Sequence, residues 1–129
     1  MGYDAEVTTT TSTSYMAMTS SNYTSYFDVT NSTYGFIIGS DNYWKANNTG
    51  KNSTTASTTW TCKISGSYVL EYSYVTEQRY DKVTLTTTDT SASSTGTHLS
   101  EASGSSSGSL PIYFEVGDTI TMTYSKDSS

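Results

Sequence analysis

The chain has 129 residues, room for one ordinary domain, and it carries 24 Ser and 26 Thr against 6 Val, 5 Ile, 4 Leu and 3 Phe. Only 14% of residues are charged, so the chain lacks the charge excess of a disordered one, and 12 Tyr with 2 Trp supply the core area that the aliphatics do not. The formal charge of −6, with 6 basic against 12 acidic residues, argues against a phosphate-backbone binder, and no apolar run is long enough for a membrane-spanning helix.

Residues 1–20 read as a Thr/Ser-rich N-terminal arm, with residues 21–129 as the domain. Thr8 to Ser14 contains nothing to bury, and Tyr15, Met16 and Met18 follow as a short apolar group. β-Branched Thr prefers extended backbone, so the arm is either a flexible tether or an edge strand. As a docking arm it would place Tyr15, Met16 and Met18 in pockets of a neighbouring copy, giving a homo-oligomer. The N-terminus has neither the basic nor the apolar region of a secretory leader, and the chain reads as either cytoplasmically assembled or cut from a longer surface protein. Cys62 is the single cysteine, so no intrachain disulfide forms.

From Tyr23 the pattern takes period two. Tyr23, Phe27 and Val29 fall on one side of a strand over 23–30, and Thr33 to Ile38 is a second run closed by the turn residues Gly39-Ser40-Asp41-Asn42. Tyr43 and Trp44 lead into a polar loop from Asn47 to Ser53. Trp60, Cys62 and Ile64 then face one way and Thr59, Thr61 and Lys63 the other. The best strand is Ser67 to Thr76, with Tyr68, Leu70, Tyr72 and Tyr74 on one face. Val83 and Leu85 point inward from the next run. Residues 89–109 read as a long Ser/Thr/Gly loop around Leu99, with room for a short strand near Thr97 to Ala102. Val116-Gly117-Asp118-Thr119-Ile120 is a tight connection into a last strand carrying Ile120, Met122 and Tyr124. No window shows the period of an amphipathic helix. The fold class is all-β: an antiparallel β-sandwich, jelly-roll-like, with Trp60, Tyr68, Leu70, Tyr72, Val83, Leu85, Phe114, Ile120 and Met122 as its core.

Candidate chemistry is sparse. His98 is the sole histidine, which excludes a histidine metal cluster, and Gly104-Ser105-Ser106-Ser107-Gly108 matches the nucleophile-elbow letters only within a Ser/Gly loop with no helix after it. The chain is therefore expected not to be an enzyme. Glu77 and Asp81 flank a turn. They either cap it or hold Ca2+ together with backbone carbonyls, the one cofactor the sequence suggests. A glycosidase pair is a third reading of the same two carboxylates. Tyr43 and Trp44, with Asn47 and Asn48 beside them, form a candidate ligand-binding loop in which Trp44 either stacks on a sugar ring or packs inward. Alternating Thr at 84–88 and 119–123 suggests an ice-binding array or the ordinary solvent face of a strand.

The string Gly66 to Leu85 (GSYVLEYSYVTEQRYDKVTL) resembles a jelly-roll module pattern in which an aromatic strand runs into Ser-Glu, a short turn, then Tyr/Trp-Asp-Lys-hydrophobic. Such modules occur in bacteriophage virion proteins and in surface proteins of Gram-positive and gut bacteria. Asn47 to Ser57 is similar to the loop before it, and Val116 to Ile120 with Tyr124 to Ser128 to its end. The resemblance spans about residues 23 to 129. Thr76 stands where the pattern has Ser, and the pattern continues past Lys126-Asp127-Ser128 into another strand where this chain stops at Ser129. The arm is the candidate for that slot, from its own chain or a neighbour's. The resemblance implies a non-enzymatic virion structural or attachment protein in head decoration, fibre or tail. Its partners would be other virion proteins and a host surface glycan, with no nucleic acid and no membrane. The alternative it implies is a carbohydrate-binding or adhesin module at a bacterial cell surface.

Overall fold

The computed structural model describes residues 7–13, 19–48, 51–76, 80–88 and 96–126. Their polar–apolar alternation produces strands β1 (Val7–Thr13), β2 (Phe27–Asn31), β3 (Phe36–Ile38), β4 (Trp44–Ala46), β5 (Thr55–Cys62), β6 (Gly66–Val75), β7 (Lys82–Thr88), β8 (Gly96–Ala102), β9 (Ser105–Phe114) and β10 (Thr119–Ser125). One helical turn, α1 (Tyr23–Tyr26), precedes β2. Of the described residues, 64% are strand and 4% helix, and the antiparallel sheets pack face to face as the all-β sandwich expected. One sheet has the order β3-β4-β1-β6-β9 and the other β2-β5-β10-β7-β8.

The wiring of the last six strands is a long hairpin folded onto itself. β5 pairs with β10, β6 with β9 and β7 with β8, each antiparallel and each nested inside the last. Successive pairs land on alternate sheets. Thr61 faces Thr119 in one sheet, and Gly66 faces Phe114 in the other, with equal chain length on both sides of the corner. The Cys62 N–H donates to the Asp118 carbonyl (2.8 Å) and the Gly117 N–H to the Cys62 carbonyl (2.9 Å), so the ladder continues into the bend. Gly117 sits at φ +97°, in the left-handed region where a Cβ is strained. β10 then closes the roll by also pairing with β7.

The core follows the inward stripes. Phe27, Phe36, Trp44, Trp60, Tyr68, Leu70, Val83, Leu85, Ile112, Phe114, Ile120, Met122 and Tyr124 are buried. Aromatic rings bridge the sheets: Phe27 lies 5.1 Å from Tyr68, and Trp44 meets Trp60 edge to face at 5.3 Å. Such pairs add about 0.5–1.5 kcal/mol each beyond area burial, which offsets the shortage of Leu and Ile. Of the expected core, eight residues are buried, and Tyr72 is half-buried at its margin. Tyr72 lies over Gly108, where an added Cβ would meet its ring and hydroxyl.

Several elements differ from the sequence expectation. Tyr23–Tyr26 is a helical turn rather than the start of a strand, because the Thr19 carbonyl accepts the Asn22 and Tyr23 N–H groups and Asn22 Oδ1 accepts the Thr19 N–H (2.7 Å). Ile64 is exposed, because β5 ends at Cys62 and the chain turns the corner there. Within 89–109 the short strand allowed near Thr97 to Ala102 is β8, and the departure is that β9 already begins at Ser105. Ser105–Ser109 has no apolar signal of its own and takes its register from Glu71–Val75. β10 is an inner strand, so the sheet has no open edge after Tyr124.

Val7–Thr13, expected within an arm separate from the domain, is a central strand of the sandwich. It lies between β4 and β6, with Val7 opposite Tyr74 and Thr13 opposite Tyr68. Tyr15, Met16 and Met18, the expected oligomer contacts, lie outside the described residues.

Candidate functional site

The expected ligand loop divides into parts that face outward and parts that do not. Tyr43 is half exposed, at the tip where Asp41 Oδ1 accepts its N–H (3.1 Å). That hydrogen bond, followed by Lys45 at 3.2 Å, holds the Asp41 carboxyl below its ordinary range. Trp44 is 3% exposed, edge-on to both Tyr23 (4.9 Å) and Trp60. Its face is therefore closed to a sugar ring, and the inward-packing reading holds. β4 is only three residues long, and its alternation puts Trp44 and Ala46 inside and Lys45 outside.

Asn47 Oδ1 accepts the Gly35 N–H (2.9 Å), so its side chain fixes the approach of β3. Asn48 is fully buried, and its Nδ2 donates to the Thr54 and Tyr124 carbonyls (3.3 and 3.2 Å). Both amides thus do structural work in the loop, and Asn48 is removed from any ligand surface. Of the four residues proposed for the loop, only Tyr43 presents an exposed ring.

Glu77 lies outside the described residues. Asp81 is fully buried and meets the Lys126 ammonium at 3.5 Å, and the Tyr124 hydroxyl donates to the same Oδ2 at 3.4 Å. A carboxylate facing a buried cation is poorly placed for Ca2+. Among the described residues, no group of three or more His, Cys, Asp or Glu gathers to hold a metal.

The remaining reactive groups each have a structural position. Cys62 is buried, and its Sγ donates to the Ile64 carbonyl (3.1 Å). Burial pushes its thiol above the ordinary value. The Tyr68 hydroxyl donates to the same carbonyl, and burial first, then the neighbouring Cys62, raises it well above the usual phenol range. His98 Nε2 bonds Thr87 Oγ1 at 2.7 Å across β7 and β8. The Asp118 carboxylate accepts the Glu115 N–H (2.8 Å) and holds the corner turn. On the outer face of β5 and β10, Thr59 bonds Thr121 (3.0 Å) and Ser57 bonds Thr123 (3.3 Å). Those hydroxyls are spent on one another, as on an ordinary strand surface.

Sequence reasoning missed two features. Lys126 continues the inward stripe of Ile120, Met122 and Tyr124, and extending the β10–β7 register by one rung beyond Ser125 and Lys82 puts it opposite Asp81. That signal was present in the alternation. The second feature is a shallow hollow of about 250 Å3 on the outer face of β6 and β9, lined by Ser67, Val69, Pro111 and Tyr113. Tyr113 is 51% exposed there. β9 is the edge of its sheet, with Pro111 in it, a residue that lacks the N–H another strand would use.

No helix among the described residues is long and apolar enough to cross a membrane. Comparison with protein-family models, curated proteins and solved structures gives no match.

Proposed function

We propose that the chain is a non-enzymatic structural or attachment protein, a component of a bacteriophage virion that works as an oligomer with other virion proteins. The observation that carries the reading is the apolar strip of Val69, Pro111 and Tyr113 on the outer face of β6 and the edge strand β9. Half-exposed aromatic and aliphatic side chains around a hollow are what a contact surface requires.

The test is the mass in solution by light scattering, for the wild type and Tyr113→Asp. The reading expects a wild-type oligomer that dissociates on substitution. A wild type that stays monomeric at every concentration overturns it. A carbohydrate-binding module is the second reading, favoured by the exposed Tyr113 ring beside the hollow. It expects a monomer that binds on a glycan array and loses binding with Tyr113→Ala.

A further inference from the structure

The Lys126–Asp81 pair has no part in the contact surface, and its chemistry goes further than an ion pair. The Lys126 side chain is 2% exposed and that of Asp81 0%, with Nζ 3.5 Å from Oδ2. Neither end is free to wander. The Lys126 backbone N–H is fixed on the Thr54 carbonyl (2.9 Å), its ammonium lies over the Tyr124 ring at 5.7 Å, and Asp81 Oδ2 takes the Tyr124 hydroxyl. An amine and a carboxyl held together and shielded from water are the reactants of an amide condensation.

We infer that Lys126 and Asp81 are the site of an autocatalytic intramolecular isopeptide bond, joining the end of β10 to the residue before β7. The step balances within the pair. The Lys126 ammonium passes one proton to Asp81 Oδ2, and its freed lone pair attacks Asp81 Cγ. The tetrahedral centre collapses as a second proton moves from Nζ to Oδ2. The Cγ–Oδ2 bond breaks, and Oδ2 leaves as water, while Oδ1 stays as the amide carbonyl. The Tyr124 hydroxyl, bonded to Oδ2, orients the departing oxygen.

Three physical arguments favour the product. Fixed orientation replaces a bimolecular encounter. Two buried charges, each costly in low dielectric, become one neutral amide. The burial that excludes bulk water also disfavours the reverse hydrolysis. The bond would cross-link the neighbouring inner strands β10 and β7 in a chain whose lone cysteine provides no disulfide. It acts on the fold and is independent of the surface at Tyr113.

Intact-mass spectrometry of the denatured wild-type protein tests this directly. The expected mass is below the sequence mass, after allowance for removal of Met1, by one water molecule. Proteolysis should yield one branched peptide linking the segments that contain Asp81 and Lys126. Lys126→Arg and Asp81→Ala should each restore the full mass of their own sequences. A wild type at full mass after prolonged incubation in the folded state overturns the inference. So does a water loss that proteolysis maps anywhere else. The wild-type measurement decides the matter even where a variant does not fold.

Discussion

Lys126 and Asp81 meet at the end of two inward stripes, one rung past the last paired residues of β10 and β7, and share that end with Tyr124. Along β10 the stripe is Ile120, Met122, Tyr124, then Lys126. Along β7 it is Thr87, Leu85, Val83, then Asp81. The same alternation that builds the apolar core thus carries a cation and an anion into its end. There, only each other and nearby polar groups can solvate them.

Trp44→Ala should lower stability by about 3–5 kcal/mol, the cost of removing a buried aromatic from a packed core. Urea denaturation measures it. A change near zero would mean that the Trp44 ring stands outside the core and is open to ligand.

Stability should fall on the alkaline side. The Cys62 thiol and Tyr68 phenol are both raised by burial. A group with a raised folded value contributes stability in full below its ordinary value, near 9.0 for the thiol and 10.0 for the phenol. That contribution is lost as pH rises towards the folded value. Denaturation midpoints taken upward from about pH 8 should therefore decline, and Tyr68→Phe should show a shallower decline than the wild type. Equal slopes for the two proteins would contradict the assignment for Tyr68.

The backbone amides of Val7–Thr13 should exchange hydrogen slowly, in step with those of Tyr68–Tyr74 across the β1–β6 ladder. Mass-resolved hydrogen exchange reads this peptide by peptide. Exchange at free-peptide rates in residues 7–13, with protection kept in β6, would return the segment to the status of a detached arm.

The all-β class and most of the core were legible from alternation alone, because each half-buried strand writes its inward face at every second residue. Trp60, Tyr68, Leu70 and Met122 are examples. Strands without apolar residues were not legible. Val7–Thr13 and Ser105–Ser109 are Thr and Ser almost throughout, and their pairing is set by β6, which lies between them. The choice between the two readings of Trp44 was not legible for a related reason. Trp44 sits among Asn, Lys and Tyr, a local polarity that says nothing of the ring of Trp60 waiting 5.3 Å away in the opposite sheet. Lys126 was passed over because a lysine next to Asp127-Ser128 reads as a turn, although its parity with Tyr124 already placed it inside.

The measurement that bears most directly on the account is a double-mutant cycle at the buried pair, by equilibrium denaturation of the wild type, Lys126→Met, Asp81→Leu and the double variant. Each single substitution removes the Lys126–Asp81 cross-link and also strands a buried charge, and should cost about 3–5 kcal/mol or more. The double variant, with neither charge left, should cost less than the two single losses together by well over the ~0.5 kcal/mol of independent sites. Single losses that simply add would show that Lys126 and Asp81 do not act on each other, and the closed polar end of the sandwich would not exist as described.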